Sequence, residues 1–158
     1  MCARPPALPP MTLVTCAPQT VFGLSRRLTA AMRAEIPALW AELGRRHGAE
    51  LCGRETLGIV HDFDRSGGFT YLAGFAADPD RAPADLVRFD LPGGRHACFA
   101  HPGPVETIGE SWGAIMAGWH DGLPVRMAPG PAFERYAPDF GPARPGGVEI
   151  LIPVLERG

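Results

Sequence analysis

The sequence predicts an α+β fold in which duplicated strand-helix-strand-strand units form a mostly antiparallel sheet, with two helices related by a pseudo-twofold axis. Three observations predict it: two segments carry apolar residues at helical spacing, strand-like runs flank each segment, and the two helices match at one constant offset. A chain of 158 residues is long enough for one core and too short for two ordinary domains. We therefore expect one domain, over residues 12–158.

The amino-terminal segment, residues 1–11, is predicted to be a disordered leader. It contains four prolines and lacks the long apolar run of a signal peptide. The domain is expected to begin with the first strand-like run after it.

Both predicted helices have apolar residues at spacings of three and four. The first carries Met32, Ile36, Leu39, Trp40 and Leu43, and the second carries Ile108, Trp112, Ile115, Met116 and Trp119. Three positions match at an offset of 72 residues: Ile36 with Ile108, Trp40 with Trp112, and Leu43 with Ile115. Because tryptophan is a rare residue, its match supports an internal duplication.

The ends of the helices follow from proline and glycine. Pro37 would clash with a preceding helical turn, so the first helix is expected either to kink at Pro37 or to begin there. Gly48 is expected to end that helix. The second helix is expected to open near Pro104 and to end before Asp121.

Strand-like runs surround each helix in the same order. In the first half they are residues 12–16 and 21–24 before the helix, and 56–61 and 69–76 after it. In the second half residues 96–101 precede the helix and residues 132–136 and 148–154 follow it, with 85–90 as an extra strand in the link. A ligand is expected to bind between the two repeats.

Composition excludes several classes of function. Arginine is the basic residue throughout and forms no clustered stripe, which argues against direct binding of nucleic acid. No segment approaches the roughly 20 apolar residues of a membrane helix. The four cysteines stand far apart, which favours reduced thiols and a cytoplasmic protein over disulfides or a zinc site.

The combination of several motifs resembles the GyrI-like or AraC-type effector-binding domain family, a multidrug-sensing family with a SOUL-like duplicated fold. The motifs are the two Ile-x-x-x-Trp helices, His-Pro-Gly-Pro at 101–104, Phe-Glu-Arg-Tyr at 133–136 and Ile-Leu-Ile-Pro-Val at 150–154. The resemblance covers residues 12–155. It implies a central cavity for drug-like, often cationic molecules, with Glu134 as the acidic residue that meets the positive charge.

Two features depart from that family. Many relatives carry a helix-turn-helix module before this domain, whereas a short proline-rich leader precedes it here, so a stand-alone domain is expected. Relatives often place Gly-Pro-aromatic before the first helix, where this chain has Leu28, Thr29 and Ala30. One edge of the pocket is therefore expected to be lined differently.

Strand alternation supports a role for Glu134 independently of the family. It places Glu134 and Tyr136 on one face of a strand and Phe133 and Arg135 on the other. If the Glu134 face is buried, the carboxylate needs a partner, which a cationic ligand supplies. The alternatives are a solvated Glu134 or one that pairs with an arginine of the chain.

Aromatic residues are the candidate walls of the pocket, because their faces attract cations and bury apolar area. The candidates are Trp40, Trp112, Tyr71, Tyr136 and Phe99. Trp119 is expected to be structural.

Residues 109–113 read Gly-Glu-Ser-Trp-Gly and match the nucleophile elbow of serine hydrolases. The elbow needs a strand before its serine, whereas Ser111 falls inside the second helical pattern, and His120 is the only histidine that follows it. We therefore expect no elbow. The histidines show no metal-ligand spacing, and no metal or cofactor is expected.

The sequence thus predicts a module that binds a small apolar, cationic molecule, to sense or sequester it. The rival hypothesis is a hydrolase of strained electrophilic natural products that uses Glu134 in the same pocket. A third, an inhibitor that binds a protein such as gyrase, is suggested by the family name alone, and no protein partner is identified.

Overall fold

Nine strands and two α-helices make up the regular structure of residues 8–119, 123–141 and 146–156, which a computed structural model describes. In chain order they are β1 (Met11–Cys16), β2 (Gln19–Leu28), α1 (Ile36–Leu51), β3 (Thr56–His61), β4 (Phe69–Ala76), β5 (Val87–Leu91), β6 (Gly94–Ala100), α2 (Ile108–Gly118), β7 (Val125–Met127), β8 (Ala132–Tyr136) and β9 (Val148–Glu156). A short 3-10 helix precedes each α-helix.

The order of the strands shows the predicted duplication. The repeats are β2-α1-β3-β4 and β6-α2-β8-β9, and their strands lie in the order β6-β9-β8-β3-β4-β2. From either end towards the centre, this order passes equivalent strands of the two repeats: β6, β9 and β8 from one end, and β2, β4 and β3 from the other. Its centre is the antiparallel pair of β3 and β8. The α+β class, with a mostly antiparallel sheet and two helices, is confirmed.

The strands close into a ring at the two ends of this order. β1 runs into β2 and pairs with β6, whereas β5 runs into β6 and pairs with β2. One register continues through both ladders, because Cys16 lies opposite Gly94 and Gln19 lies opposite Leu91. The outer strands of the two repeats therefore pair through their extensions, which covers sheet edges that would otherwise be open.

A glycine makes this corner possible. A Cβ atom on Gly93 would lie 2.7 Å from the backbone oxygen of Cys16 and from the backbone nitrogen of Pro18. These contacts are too short for any side chain, so the two bent strands can cross at this distance only with glycine at position 93.

Buried residues occupy both faces of the sheet. The inner face of the ring holds an apolar cluster that includes Leu57, Leu72 and Phe133. On the outer face, Leu39 and Leu43 of α1 pack over one repeat. On the same face, side chains of α2 such as Ile115 pack over the other repeat. Each helix thus covers its own half of the sheet, and the central pair of β3 and β8 lies at the seam between them.

The helices begin where the duplication predicts. α1 begins at Ile36 with proline in its first turn, and α2 begins at Ile108, which preserves the offset of 72 residues. The backbone of α1 breaks at His47 (φ −136°, ψ 32°) and then continues for one more turn, so Gly48 does not end it. Asp121, near the expected end of the second helix, lies outside the described residues.

Each predicted strand is present in the structure, but some of the predicted strand ends differ from the observed ones. β2 is longer than expected, and β7 was not predicted, since three residues are too few for an alternating pattern. Most of the expected leader lies outside the described residues. Within its described part, Leu8 packs against the core under α2, and Met11 begins β1. No helix of the described chain is long and apolar enough to cross a membrane.

Two glycines test the packing of the first repeat. A Cβ atom on Gly23 in β2 would lie 2.1 Å from the backbone oxygen of Ala73, whereas one on Gly44 in α1 would meet nothing within 4 Å. We expect Gly23→Ala to lower the free energy of unfolding by about 1–3 kcal/mol. We expect Gly44→Ala to raise it by about 0.5–1 kcal/mol, because alanine restricts the unfolded chain. Urea denaturation measures both, and equal stability of the two variants would contradict the close approach of β2 to β4.

Candidate ligand-binding site

The seam between the helices holds one acidic side chain. Glu134, in the middle of β8, lies directly opposite Gly58 of β3. Alternation along β8 turns Glu134 and Tyr136 towards the helices and Phe133 into the ring. Glu134 is 5 % exposed, so its carboxylate is buried at the point where the two repeats meet.

Three neutral donors bind this carboxylate. The hydroxyl of Tyr71 donates to Oε1 at 2.7 Å, and the hydroxyl of Tyr136 donates to the same oxygen at 2.8 Å. The indole N–H of Trp112 donates to Oε2 at 2.8 Å. The indole N–H of Trp40 donates to the Tyr71 oxygen at 2.9 Å, so it supports the carboxylate through one intermediate.

The donors offset part of the cost of burying the charge. Hydrogen bonds to a charged group contribute about 1.5–3 kcal/mol each, whereas a buried ion without a partner of opposite charge costs several kcal/mol. No arginine or histidine forms an ion pair with Glu134 in the part of the chain that the structure describes. Among the described residues, the carboxylate therefore has hydrogen-bond donors and no positively charged partner.

The two tyrosines stay protonated as donors. Burial, followed by the negative charge of Glu134, raises the pKa of Tyr71 well above its usual range. Burial and Glu134 also raise the pKa of Tyr136. Both phenols thus keep the hydrogens that they donate to Oε1.

Gly58 leaves room for this arrangement. A Cβ atom on Gly58 would lie 2.1 Å from the Tyr71 hydroxyl and 2.7 Å from Glu134 Oε1. Because β3 and β8 are equivalent strands of the two repeats, Gly58 faces Glu134 across the pseudo-twofold axis. The site therefore holds one carboxylate at its centre where strict symmetry would place two.

Aromatic rings surround the cluster. Trp40 and Trp112 are half-buried, one on each helix. The ring of Tyr136 meets that of Trp40 edge to face at 5.3 Å and that of Phe140 edge to face at 5.0 Å. Phe140 lies in the loop after β8, where no periodicity indicates a buried or pocket residue, so the sequence does not predict it at this site.

The structure brings together five of the six predicted ligand-binding residues: Glu134, Tyr136, Trp40, Trp112 and Tyr71. Phe99 lies apart from these hydrogen bonds, fully buried in the core under α2. Its ring is 6.0 Å from that of Trp119, and both pack in that core.

No arginine in the described part of the chain is the partner of Glu134. Arg135, the neighbouring residue, points to the other face of β8 and pairs with Glu149 at 2.9 Å. The thiol of Cys98 donates to Glu149 at 3.1 Å, and burial with this carboxylate raises the pKa of Cys98 to about 12. Glu134 is therefore buried rather than solvated, and no arginine within residues 8–119, 123–141 and 146–156 forms an ion pair with it.

Ser111 lies in a helix, as expected, so the hydrolase elbow is not formed. Its hydroxyl contacts His101, which precedes it in the chain. The histidine that follows it, His120, lies outside the described residues. The His101 Nε2–H donates to the Pro104 carbonyl at 2.7 Å, which leaves Nδ1 to accept the Ser111 hydroxyl at 2.6 Å. Ser111 is 6 % exposed, and this contact ties α2 to the end of β6.

No cluster of three or more metal-ligating side chains occurs within residues 8–119, 123–141 and 146–156. The chemistry of the seam is that of one carboxylate, two phenols and two indoles, which suits recognition of an organic molecule.

Comparison with known proteins finds the same fold. A family model described as a GyrI-like small molecule binding domain matches residues 9–155. The structure of SAV2435 bound to tetraphenylphosphonium superposes with a TM-score of 0.75 at 18 % identity, over 92 % of this chain and 94 % of that one. An integron cassette protein of Vibrio cholerae superposes with a TM-score of 0.72 at 21 % identity, over 92 % and 95 % of the two chains.

Similarity to transcription regulators is partial in sequence. The chain is 34 % identical over 92 residues to the transcriptional regulator BrlR of Pseudomonas aeruginosa, which is 56 % of this chain and 34 % of that protein. The match thus spans about a third of the regulator's length. The C-terminal domain of EcmrR superposes with a TM-score of 0.62 at 14 % identity, over 95 % and 99 % of the two chains.

The raised pKa values predict how the protein behaves in alkali. The chain has two tyrosines, and both lie in this site. Since an unfolded tyrosine ionises near pH 10, the folded state holds more protons above that pH, and its stability falls as the pH rises further. We expect ultraviolet absorbance to show no tyrosinate at about pH 10 and both tyrosines to ionise together on unfolding. Tyr136→Phe should halve that amplitude, and ionisation near pH 10 in the folded protein would contradict the buried cluster.

Ser111→Ala tests the contact between α2 and β6. The change leaves the buried Nδ1 atom of His101 without its donor, so we expect a loss of about 1–3 kcal/mol of stability. Ligand affinity of the folded variant should change little, because Ser111 does not touch Glu134. A double-mutant cycle with His101→Ala isolates the pair, and a coupling energy of zero would show that the two side chains do not interact.

Proposed function

This chain belongs to the GyrI-like small-molecule-binding domain family, and from that premise we propose that it binds apolar organic cations at Glu134. The observation that carries the proposal is the buried carboxylate, which has three neutral hydrogen-bond donors and, among the described residues, no positively charged partner. A positively charged ligand supplies the missing partner, and its apolar part replaces water at the half-buried rings.

Access to Glu134 requires the side chains above it to separate, since the carboxylate is almost fully covered. The half-buried indoles of Trp40 and Trp112 lie on different helices, so a ligand that enters between the helices meets one ring on each side. An indole face attracts a cation by about 0.5–2 kcal/mol and buries a large apolar area. This wall favours apolar cations of varied shape.

A structural neighbour supports the same ligand class. SAV2435, whose fold matches over most of this chain, was solved with tetraphenylphosphonium, an apolar cation. We extend that class of ligand to this protein because its own site combines a buried negative charge with aromatic walls.

The biological role we propose is sensing or sequestration of such compounds in the cytoplasm. The partial match to a transcription regulator is the reason to consider sensing. Cys16, Cys52 and Cys98 are free thiols, which suits a reducing compartment. In either role the compound is released unchanged, and mass spectrometry of recovered ligand tests that against the hydrolase alternative.

Glu134→Gln is the direct test of the anchor. The change removes the charge and keeps the shape, so a cationic ligand should bind more weakly by about 2–4 kcal/mol. A neutral ligand of the same shape should change by much less. Calorimetric titration measures both effects. The cation is tetraphenylphosphonium, and the neutral analogue is tetraphenylmethane carrying a group that makes it soluble.

The control for this test is Trp40→Leu, which should weaken the cationic and the neutral ligand together, because it removes a wall and leaves the charge. Thermal unfolding of each variant checks that the fold is intact. Equal affinity of wild type and Glu134→Gln for the cation would show that Glu134 is not the anchor.

A further inference from the structure

The two oxygens of Glu134 differ in how many hydrogen bonds they already accept. Oε1 accepts two, from the hydroxyls of Tyr71 and Tyr136. Oε2 accepts one, from the indole of Trp112. A carboxylate has about four lone-pair positions, two on each oxygen. Among residues 8–119, 123–141 and 146–156, the protein therefore fills Oε1 and leaves one acceptor position on Oε2.

We infer that this site selects cations that carry a single N–H donor, that is, tertiary ammonium groups, and that Trp112 sets this preference. The inference rests on the proposed function and specifies its ligand class. One N–H group fits the one open position on Oε2, and the alkyl substituents of the same nitrogen face the aromatic walls.

Other cations match the site less well. A quaternary ammonium has no N–H group, so it leaves the position on Oε2 unused. A primary ammonium has three N–H groups, and two of them stay without a charged acceptor after the group has lost its water. Its stronger hydration also makes it more costly to bring into an apolar pocket.

The remaining oxygens in the cluster do not change this order. The Tyr71 hydroxyl donates to Glu134 and accepts from Trp40, so it is occupied in both directions. The Tyr136 hydroxyl donates to Glu134, and as a neutral phenol it forms a hydrogen bond roughly half as strong as a carboxylate does. A second N–H group therefore gains less than the first.

The duplication supplies a matched control. Trp40 and Trp112 occupy equivalent positions on the two helices, and each is half-buried. The indole of Trp112 bonds to Oε2, whereas that of Trp40 bonds to Tyr71. Trp112→Phe opens a second position on Oε2, while Trp40→Phe removes an indole N–H without altering the acceptor count of Glu134.

The experiment uses four ligands on one naphthylmethyl scaffold: the primary amine, the dimethyl tertiary amine, the trimethylammonium salt and the neutral neopentyl analogue. Calorimetry at neutral pH, where alkylamines are protonated, gives the affinity of each for the full chain. The tertiary amine should bind about tenfold more tightly than the primary and the quaternary cation. All three cations should bind more tightly than the neutral analogue.

The variants then assign the preference to Trp112. Trp112→Phe should lower the ratio of tertiary to primary affinity by about tenfold, because Oε2 can now accept two donors. Trp40→Phe should leave that ratio as in wild type, even if every ligand binds more weakly. Thermal unfolding shows that both variants are folded before the ratios are compared.

The possible results separate the two proposals. If all cations bind equally and the neutral analogue binds weakly, the acceptor count does not select the ligand, and the proposed function stands. If no cation binds better than the neutral analogue, the proposed function fails, and this inference fails with it. If both tryptophan variants shift the ratio equally, Trp112 is not the residue that sets it.

Discussion

The structure of the site depends on how one buried carboxylate is held by neutral donors, with no positive partner in the part of the chain that the structure describes. Glu134 has three neutral donors, and these come from β4, β8 and α2. A fourth donor, Trp40 of α1, reaches it through Tyr71. The carboxylate thus connects elements of both repeats, and any movement that separates the helices must break or lengthen at least one of these bonds.

Duplication explains why such a residue can lie at the centre. The pseudo-twofold axis brings β3 and β8 together, and like charges on both strands would repel at this distance. The first repeat instead has Gly58 opposite Glu134, where any Cβ atom would collide with the cluster. The strands around this pair close into a ring, since the outer strands of the two repeats pair through their extensions. A symmetric scaffold therefore presents a single charge.

Much of this arrangement was predictable from the sequence, and the reason differs between parts. The helices, the duplication and the face of β8 that carries Glu134 follow from periodicity, because packing repeats at helical and strand spacing. The sequence does not predict the hydrogen bonds that Glu134 accepts or the contact of Ser111 with His101, because these join side chains distant in sequence. It does not predict Phe140 at the site either, because that residue lies outside any regular pattern. Phe99 was placed with the pocket because alternation does not tell which of two buried clusters a residue joins.

The neutral donors also determine what kind of recognition the site can achieve. Each hydrogen bond from a phenol or an indole stabilises the charge before a ligand arrives, so a cation gains less there than beside a bare carboxylate. The part of the remaining gain that comes from charge and aromatic faces depends little on ligand shape, since both act over several directions, whereas the number of N–H groups determines the hydrogen bonds to Oε2. Moderate affinity for many apolar cations follows from such a balance. A buried arginine in place of the tyrosines would have removed the charge on which that recognition rests.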